Sequence, residues 1–177
     1  MSILKLAVIF LLPFFDISKA FDSVDHCILI KRLLKLNIPK VYVSLIKFWY
    51  SNQFVKVRFE SEFSCEWKLC NGVRQGGILS GLLFNLYIDL ILEKITKSNI
   101  GCKLGLYMSN VIAYADDIVL LAPSALGLQK LMNIFELEIK KIKLKINLNK
   151  TKCMIFKSEK SKNYFNKTDF VLENQKN

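Results

Sequence analysis

Apolar and polar residues alternate along this chain in segments of clearly different period. Leu6–Phe15 is a run of apolar residues, read as a buried strand although Pro13 lacks the N–H that a central strand uses. Asp25 is placed to cap a helix running to about Leu36, with Ile28, Leu29, Leu33, Leu34 and Leu36 on a helical period. Pro39 suits the first turn of a second helix reaching about Tyr50. Phe54–Phe59 then alternates residue by residue, and with Phe63–Leu69 it predicts an antiparallel hairpin.

Asn71-Gly72 is a turn signal, and Gly76-Gly77 leaves the backbone open before a helix from about Ile78 to Lys97. Val111–Tyr114 and Ile118–Leu121 are short β-prone runs around Ala115-Asp116-Asp117, a hairpin with acids at its tip. Ser124 caps a helix to about Lys143, and Ile146 with Met154–Phe156 predicts a last small β element. The order β-αα-ββ-α-ββ-α-β is an α+β pattern: a mainly antiparallel sheet with helices packed on one face.

Charge changes this picture. The chain has 26 Lys+Arg against 15 Asp+Glu in 177 residues, a net charge of +11, which favours a polyanionic partner. With 52% hydrophobic residues and a mean hydropathy of +0.28 it is not a disordered basic tail. No run of about 18 uncharged apolar residues argues for a membrane span. The excess is local: residues 31–70 carry eight bases and three acids, and residues 131–177 carry eleven and five. Residues 1–30 and 71–130, which hold Asp16 and Asp116-Asp117, are near neutral, so acidic positions are flanked by anion-binding surface. The five cysteines are scattered with no C-x-x-C or Cys/His cluster, which predicts reduced, mostly buried thiols and an intracellular protein in nucleus or cytoplasm.

The apolar N-terminus also fits a secretory signal with a cut after Ala20, but that cut would remove Asp16, so the strand reading is preferred. Asp116-Asp117 sits between two apolar strands, where adjacent carboxylates repel and a cation would neutralise them. If the strand ending at Asp16 lies beside that hairpin, Asp16 and Asp116 meet at one sheet edge. Carboxylates on rigid strand ends suit Mg²⁺, and two such ions about 4 Å apart suit in-line phosphoryl displacement. Spacing alone leaves open a turn pair at Asp116-Asp117 and a simple cap at Asp16.

Four motifs carry a resemblance: Phe15-Asp-Ile-Ser-Lys-Ala-Phe-Asp22, Asn71-Gly-Val-Arg-Gln-Gly-Gly-Ile-Leu-Ser80, Tyr114-Ala-Asp-Asp117 and Asn147-Leu-Asn-Lys-Thr151. In this order the chain resembles the palm of reverse transcriptases, most of all those of non-LTR (LINE-type) retrotransposons, over roughly residues 8–157. The resemblance implies a polymerase palm-like sheet and an RNA-directed DNA polymerase acting by two-metal nucleotidyl transfer to a primer 3′-OH. It makes Asp16, Asp116 and Asp117 the catalytic, metal-holding acids for two Mg²⁺ ions, with Mn²⁺ as a substitute. Phe21 matches the aromatic that excludes a sugar 2′-OH, with core packing as its other reading. Gln75 and Gly76 match the segment lining nucleotide and template, where a missing side chain permits close approach. Lys150 matches the lysine near the leaving pyrophosphate, its other reading being a solvated lysine. Asp22 is read as capping the loop before the first helix, and His26 as a first-turn helix residue.

Template RNA, a DNA primer and deoxynucleoside triphosphates are the implied partners, with fingers and thumb segments of a parent polyprotein, and no stable membrane partner. Gly81 stands where the family commonly has Pro. On this reading residues 1–157 are a partial domain, palm with part of the fingers, and 158–177 a polar, disordered tail. Two other functions stay open on sequence: a catalytically inactive, basic nucleic-acid-binding remnant, and a small secreted basic protein.

Overall fold

The computed structural model describes residues 10–156. In chain order the elements are β1 (Phe10–Phe15), a 3-10 turn (Phe21–Ser23), α1 (His26–Lys35), α2 (Lys40–Ser51), β2 (Phe54–Val55), β3 (Arg58–Phe59), β4 (Glu62–Phe63), β5 (Trp67–Lys68), α3 (Ser80–Lys97), β6 (Cys102–Leu104), β7 (Tyr107–Ser109), β8 (Val111–Tyr114), β9 (Asp117–Leu120), α4 (Ala125–Lys141) and β10 (Lys152–Phe156). Over the described residues they divide into two compact units: 10–18 with 91–141 and 145–156, and Lys19–Leu90 with Ile142–Leu144. Residues 6–9 of the expected first strand and the tail from 158 lie outside the described residues.

The first unit is built on a four-stranded antiparallel sheet in the order β10-β1-β9-β8. One face is packed by α4. Leu11, Phe15, Ile118 and Leu120 from the sheet and Leu128, Leu131 and Phe135 from α4 are all buried. Phe15 meets Phe135 at 4.6 Å between ring centroids. Pro13 is accommodated at a gap in the ladder. Leu11 exchanges hydrogen bonds with Ala122, and β1 pairs with β9 again at Phe14 and Phe15. Backbone groups two residues apart point to the same neighbour, so the missing N–H of Pro13 falls where the ladder to β9 is interrupted. Ser124 caps α4, its hydroxyl accepting from Gly127 N at 3.2 Å. The β6–β7 hairpin has no counterpart in the sequence pattern; it closes through Gly105 at φ +60° and Leu106.

The second unit contains α1, α2, the β2–β5 arm and the first part of α3. Asp25 caps α1 as the sequence predicts, Oδ1 accepting from Ile28 N at 3.0 Å, and Pro39 immediately precedes α2. The hairpin forms in two pieces, β2 with β5 and β3 with β4. The register changes by one residue between them because three residues, 64–66, oppose Lys56 and Val57, a bulge. There the Ser64 hydroxyl accepts from Val57 N at 2.9 Å in place of a ladder carbonyl. Helix α3 starts at Ser80 and not at Ile78, because Gly77 and Ser80 close a turn, Ser80 N donating to Gly77 O at 3.0 Å.

Two expectations are corrected. The cysteines are free, but Cys27, Cys65, Cys70 and Cys153 are exposed and only Cys102 is half-buried. They sit on the outer side of α1, on the two-stranded arm and on the edge strand β10, where no layer covers them. Asp22 does not cap. It is exposed in the 3-10 turn, and Asp25 takes the capping role at the helix that follows. Among the described residues no helix is long and apolar enough to cross a membrane.

Candidate active site

The first unit gathers four of the sequence-selected residues at one sheet edge. β1 ends at Phe15, whose buried ring fixes the strand end, and Asp16 follows at once. The register Phe14↔Val119 and Phe15↔Ile118 continues to place Asp16 level with Asp117, the first residue of β9. Asp117 pairs with Tyr114, and Ala115-Asp116 forms the two-residue turn between them, with Ala115 at φ +52°. The acids are therefore split between turn and strand: Asp116 is half-buried at the tip and Asp117 exposed beside it. Asp16 has the strand parity of Phe14, so it belongs to the face opposite Phe15 and α4. That open face also carries Ile112, Tyr114, Met154 and Phe156, all exposed.

Asn147-Leu-Asn-Lys-Thr151 folds as a turn docked on the same strand end. Asn147 N donates to Asp16 O at 2.8 Å, and Asn147 O accepts from Lys150 N, Thr151 N and the Thr151 hydroxyl at 2.8–3.2 Å. Two residues further on, Ser18 N donates to Lys145 O at 2.9 Å. This clamp brings the Lys150 ammonium to 3.8 Å from Asp16 Oδ2. The resemblance implies a role for Lys150 near a leaving group, but nothing in the sequence signals this pair, because 133 residues lie between the partners and no spacing rule connects them.

Among the described residues no three His, Cys, Asp or Glu side chains already converge as a metal cage. The donor set nevertheless fits a hard divalent cation. It is made of carboxylate oxygens at one edge, and a cationic group already stands beside Asp16. A site with few protein ligands leaves positions for water and substrate phosphates, the usual arrangement for Mg²⁺.

The second unit holds the remaining three residues. Phe21 is half-buried and stacks on Phe84 at 4.8 Å and 15°. Its carbonyl accepts from Val73 N at 2.8 Å, and Val24 O accepts from Gly72 N at 2.8 Å, so the Phe21 segment is tied along the Asn71–Gln75 segment. Gly72 has φ +92°, and a Cβ there would lie 3.0 Å from Asp22 Cα and O. His26 closes the same junction as a helix residue, Nε2 lying 2.8 Å from Gly72 O. Asp22, Gln53, Arg74 and Gln75 line a cleft of 370 Å³ in this unit. Arg74 is an addition to the residues selected from sequence, although it stands beside Gln75 in the quoted motif. Gly76 is exposed with φ +80°, and among the described residues a Cβ there would meet no atom within 4 Å beyond its chain neighbours. Its glycine is required by conformation, with open space where a side chain would be.

A second polar centre fixes the start of α1. Lys143 Nζ lies 2.7 Å from Asp25 Oδ2, and this hydrogen bond holds the Asp25 carboxyl below its ordinary pKa despite partial burial. Buried Tyr87 accepts from Asp25 N at 3.3 Å and donates to Ile142 O at 2.5 Å. Burial pushes its phenol up to about 12.

Comparison with known proteins adds to this geometry. The family model described as reverse transcriptase (RNA-dependent DNA polymerase) matches residues 9–170. The retrovirus-related Pol polyprotein from type-2 retrotransposable element R2DM of Drosophila melanogaster is 36% identical over 135 residues, 76% of this chain and 13% of that protein. The retrovirus-related Pol polyprotein from type-1 retrotransposable element R2 of Nasonia vitripennis is 33% identical over 121 residues, 68% of this chain and 12% of its own length. The chain thus spans about an eighth of these curated relatives. Among solved structures, apo telomerase from Candida tropicalis, truncated from its C-terminal domain, superposes with a TM-score of 0.69 at 15% identity. That match covers 87% of this chain and 32% of the telomerase chain, and it shows a shared fold.

Proposed function

The chain belongs to the reverse transcriptase (RNA-dependent DNA polymerase) family, and on that premise we propose that it is the palm of an RNA-directed DNA polymerase, extending a primer 3′-OH on an RNA template with deoxynucleoside triphosphates. The observation that carries the reading is the strand register that levels Asp16 with Asp117 beside the Asp116 turn, with Lys150 clamped next to them. Asp16 and Asp116-Asp117, from two sequence-distant motifs, are carried to one sheet edge by the backbone register.

Asp16 and Asp116 are the residues that would hold divalent cations, with Asp117 as adjacent acidic support. Bound Mg²⁺ would supply charge neutralisation for the phosphates and a more acidic primer hydroxyl. The β1–β9 register and the two-residue turn hold the backbone that carries these carboxylates, which limits reorganisation as charge develops. In the reaction the primer O3′ bonds to the α-phosphorus, the α–β bridging P–O bond breaks, and pyrophosphate departs. The primer hydroxyl proton passes to water at the open face, and Lys150 gives a proton or its charge to the leaving pyrophosphate. In the second unit Phe21 is the residue that excludes a ribose 2′-OH, its ring braced from behind by Phe84. Gln75 and Gly76 line the nucleotide and template strand, the open space at Gly76 leaving backbone free for close approach.

The test is incorporation of labelled deoxynucleotide on an RNA template with a DNA primer. Asp16→Asn should abolish Mg²⁺-dependent incorporation while leaving nucleic-acid binding in place. Equal incorporation by wild type and Asp16→Asn would overturn the assignment.

A further inference from the structure

Asp16 is paired with a cation that belongs to the chain itself. Lys150 Nζ stands 3.8 Å from its carboxylate, and the backbone of Lys150 is tethered to the backbone of Asp16 through Asn147. The Lys150 side chain is 69% exposed and that of Asp16 28%, so the pair sits at the rim of the open face and the lysine can swing into solvent. Among the described residues Asp116 and Asp117 have no ion-pair partner of this kind. Within this acidic edge Asp16 is the carboxylate with a lysine ammonium beside it.

From this arrangement we propose that Lys150 is a resting counter-ion for Asp16 that competes with the divalent cation and is freed by it. The proposal rests on the reading of Asp16 as a metal-holding carboxylate and adds a coupling to it. Two cations cannot share the near side of one carboxylate without mutual repulsion, so metal arrival displaces the ammonium. The Asn147 clamp keeps Lys150 within a side chain's length of Asp16, so the released charge stays at the site. It is then available to an anionic phosphate group on the open face. Linkage makes the effect reciprocal: any phosphate that draws Lys150 away raises the affinity of Asp16 for metal, and any metal that binds raises the affinity for phosphate. A single lysine thus makes metal and phosphate binding mutually supportive, and disfavours metal uptake before substrate is present.

The expected size follows from the exposure of the pair. Exposed ion pairs are weak, which corresponds to about a two- to five-fold change in metal affinity when the competitor is removed. The probe is Mn²⁺, with free ion followed by electron paramagnetic resonance, on the full chain without nucleotide and at low ionic strength. Lys150→Gln should bind Mn²⁺ about two- to five-fold more tightly than wild type, while Lys150→Arg stays near wild type. Asp16→Asn should weaken binding, and adding Lys150→Gln to it should give no further gain. Lys150 is a surface residue, and circular dichroism of each variant confirms that the fold is retained. Uptake that is lost in Asp16→Asn yet unchanged in Lys150→Gln would overturn the proposal and leave the metal reading standing. A gain from Lys150→Gln that persists without Asp16 would also overturn it, by placing the competition elsewhere. No uptake by either wild type or Lys150→Gln would remove both.

Discussion

Replacing Gly72 and Gly76 by alanine, one at a time, separates two reasons for a glycine that the structure distinguishes. Both have a left-handed backbone, φ +92° and φ +80°, so each alanine carries a conformational penalty of about 1–2 kcal/mol. Only at Gly72 does the new methyl also meet rigid atoms, Asp22 Cα and O at 3.0 Å, and such overpacking adds about 1–3 kcal/mol. Gly72→Ala should therefore cost about 2–5 kcal/mol and Gly76→Ala about 1–2 kcal/mol. Urea unfolding followed by circular dichroism reads the difference as a larger loss of midpoint for Gly72→Ala at similar slope. Gly81, which has neither positive φ nor a close neighbour, serves as control, and Gly81→Ala should be neutral or stabilising by about 0.5 kcal/mol. Activity sharpens the comparison. Among the described residues nothing beyond its chain neighbours lies within 4 Å of a Cβ at Gly76, so a large loss of incorporation in Gly76→Ala with a small loss of stability would report a substrate or template backbone at that position. Equal destabilisation by the two alanines, or a greater cost at Gly76, would refute the reasoning about close approach.

Other outcomes follow from single contacts. Tyr87→Phe strands the Ile142 carbonyl and the Asp25 N–H, and should cost about 1–3 kcal/mol in urea unfolding. In the wild type, ultraviolet titration should show one tyrosine resisting ionisation until about pH 12. The Asp25–Lys143 pair makes stability depend on pH. The carboxyl pKa is lower in the folded chain than its ordinary 3.8, so its contribution is present above that value and disappears as pH falls through the folded pKa. Lys143→Gln should accordingly lower thermal stability at pH 7 and make no difference at pH 2. With ribonucleotide and deoxynucleotide competing in the incorporation assay, Phe21→Ala should raise ribonucleotide use, and unchanged discrimination would assign Phe21 to its packing on Phe84 alone.

What could be read from sequence was local chemistry. Asp25 and Ser124 cap where predicted because capping needs only a short polar side chain just ahead of an apolar period. The meeting of Asp16 with the Asp116 hairpin was legible as a condition, that the two strands be neighbours, and β1 does lie beside β9. Whether the side chains close around a cation was not legible, and neither was the Lys150–Asp16 pair. Both depend on a tertiary clamp, the Asn147 turn, whose hydrogen bonds connect residues far apart in the chain. The β6–β7 hairpin escaped because Cys102-Lys-Leu and Tyr107-Met-Ser are three residues each, too short to show a period. The cysteines misled for a different reason. Burial frequency is a property of residue types averaged over cores, and four of these thiols lie on a helix exterior, an arm and an edge strand that no layer covers.

The central claim is that the β1–β9 edge performs metal-dependent nucleotidyl transfer. Its most direct test is single-nucleotide primer extension on an RNA template, with Mg²⁺ titrated from zero, comparing wild type with Asp116→Ala. The account predicts extension that rises with Mg²⁺ in the wild type and is absent at every Mg²⁺ concentration in Asp116→Ala, with both proteins equally folded. Extension that persists in Asp116→Ala, or a folded wild type that binds primer and template but never extends, would contradict it.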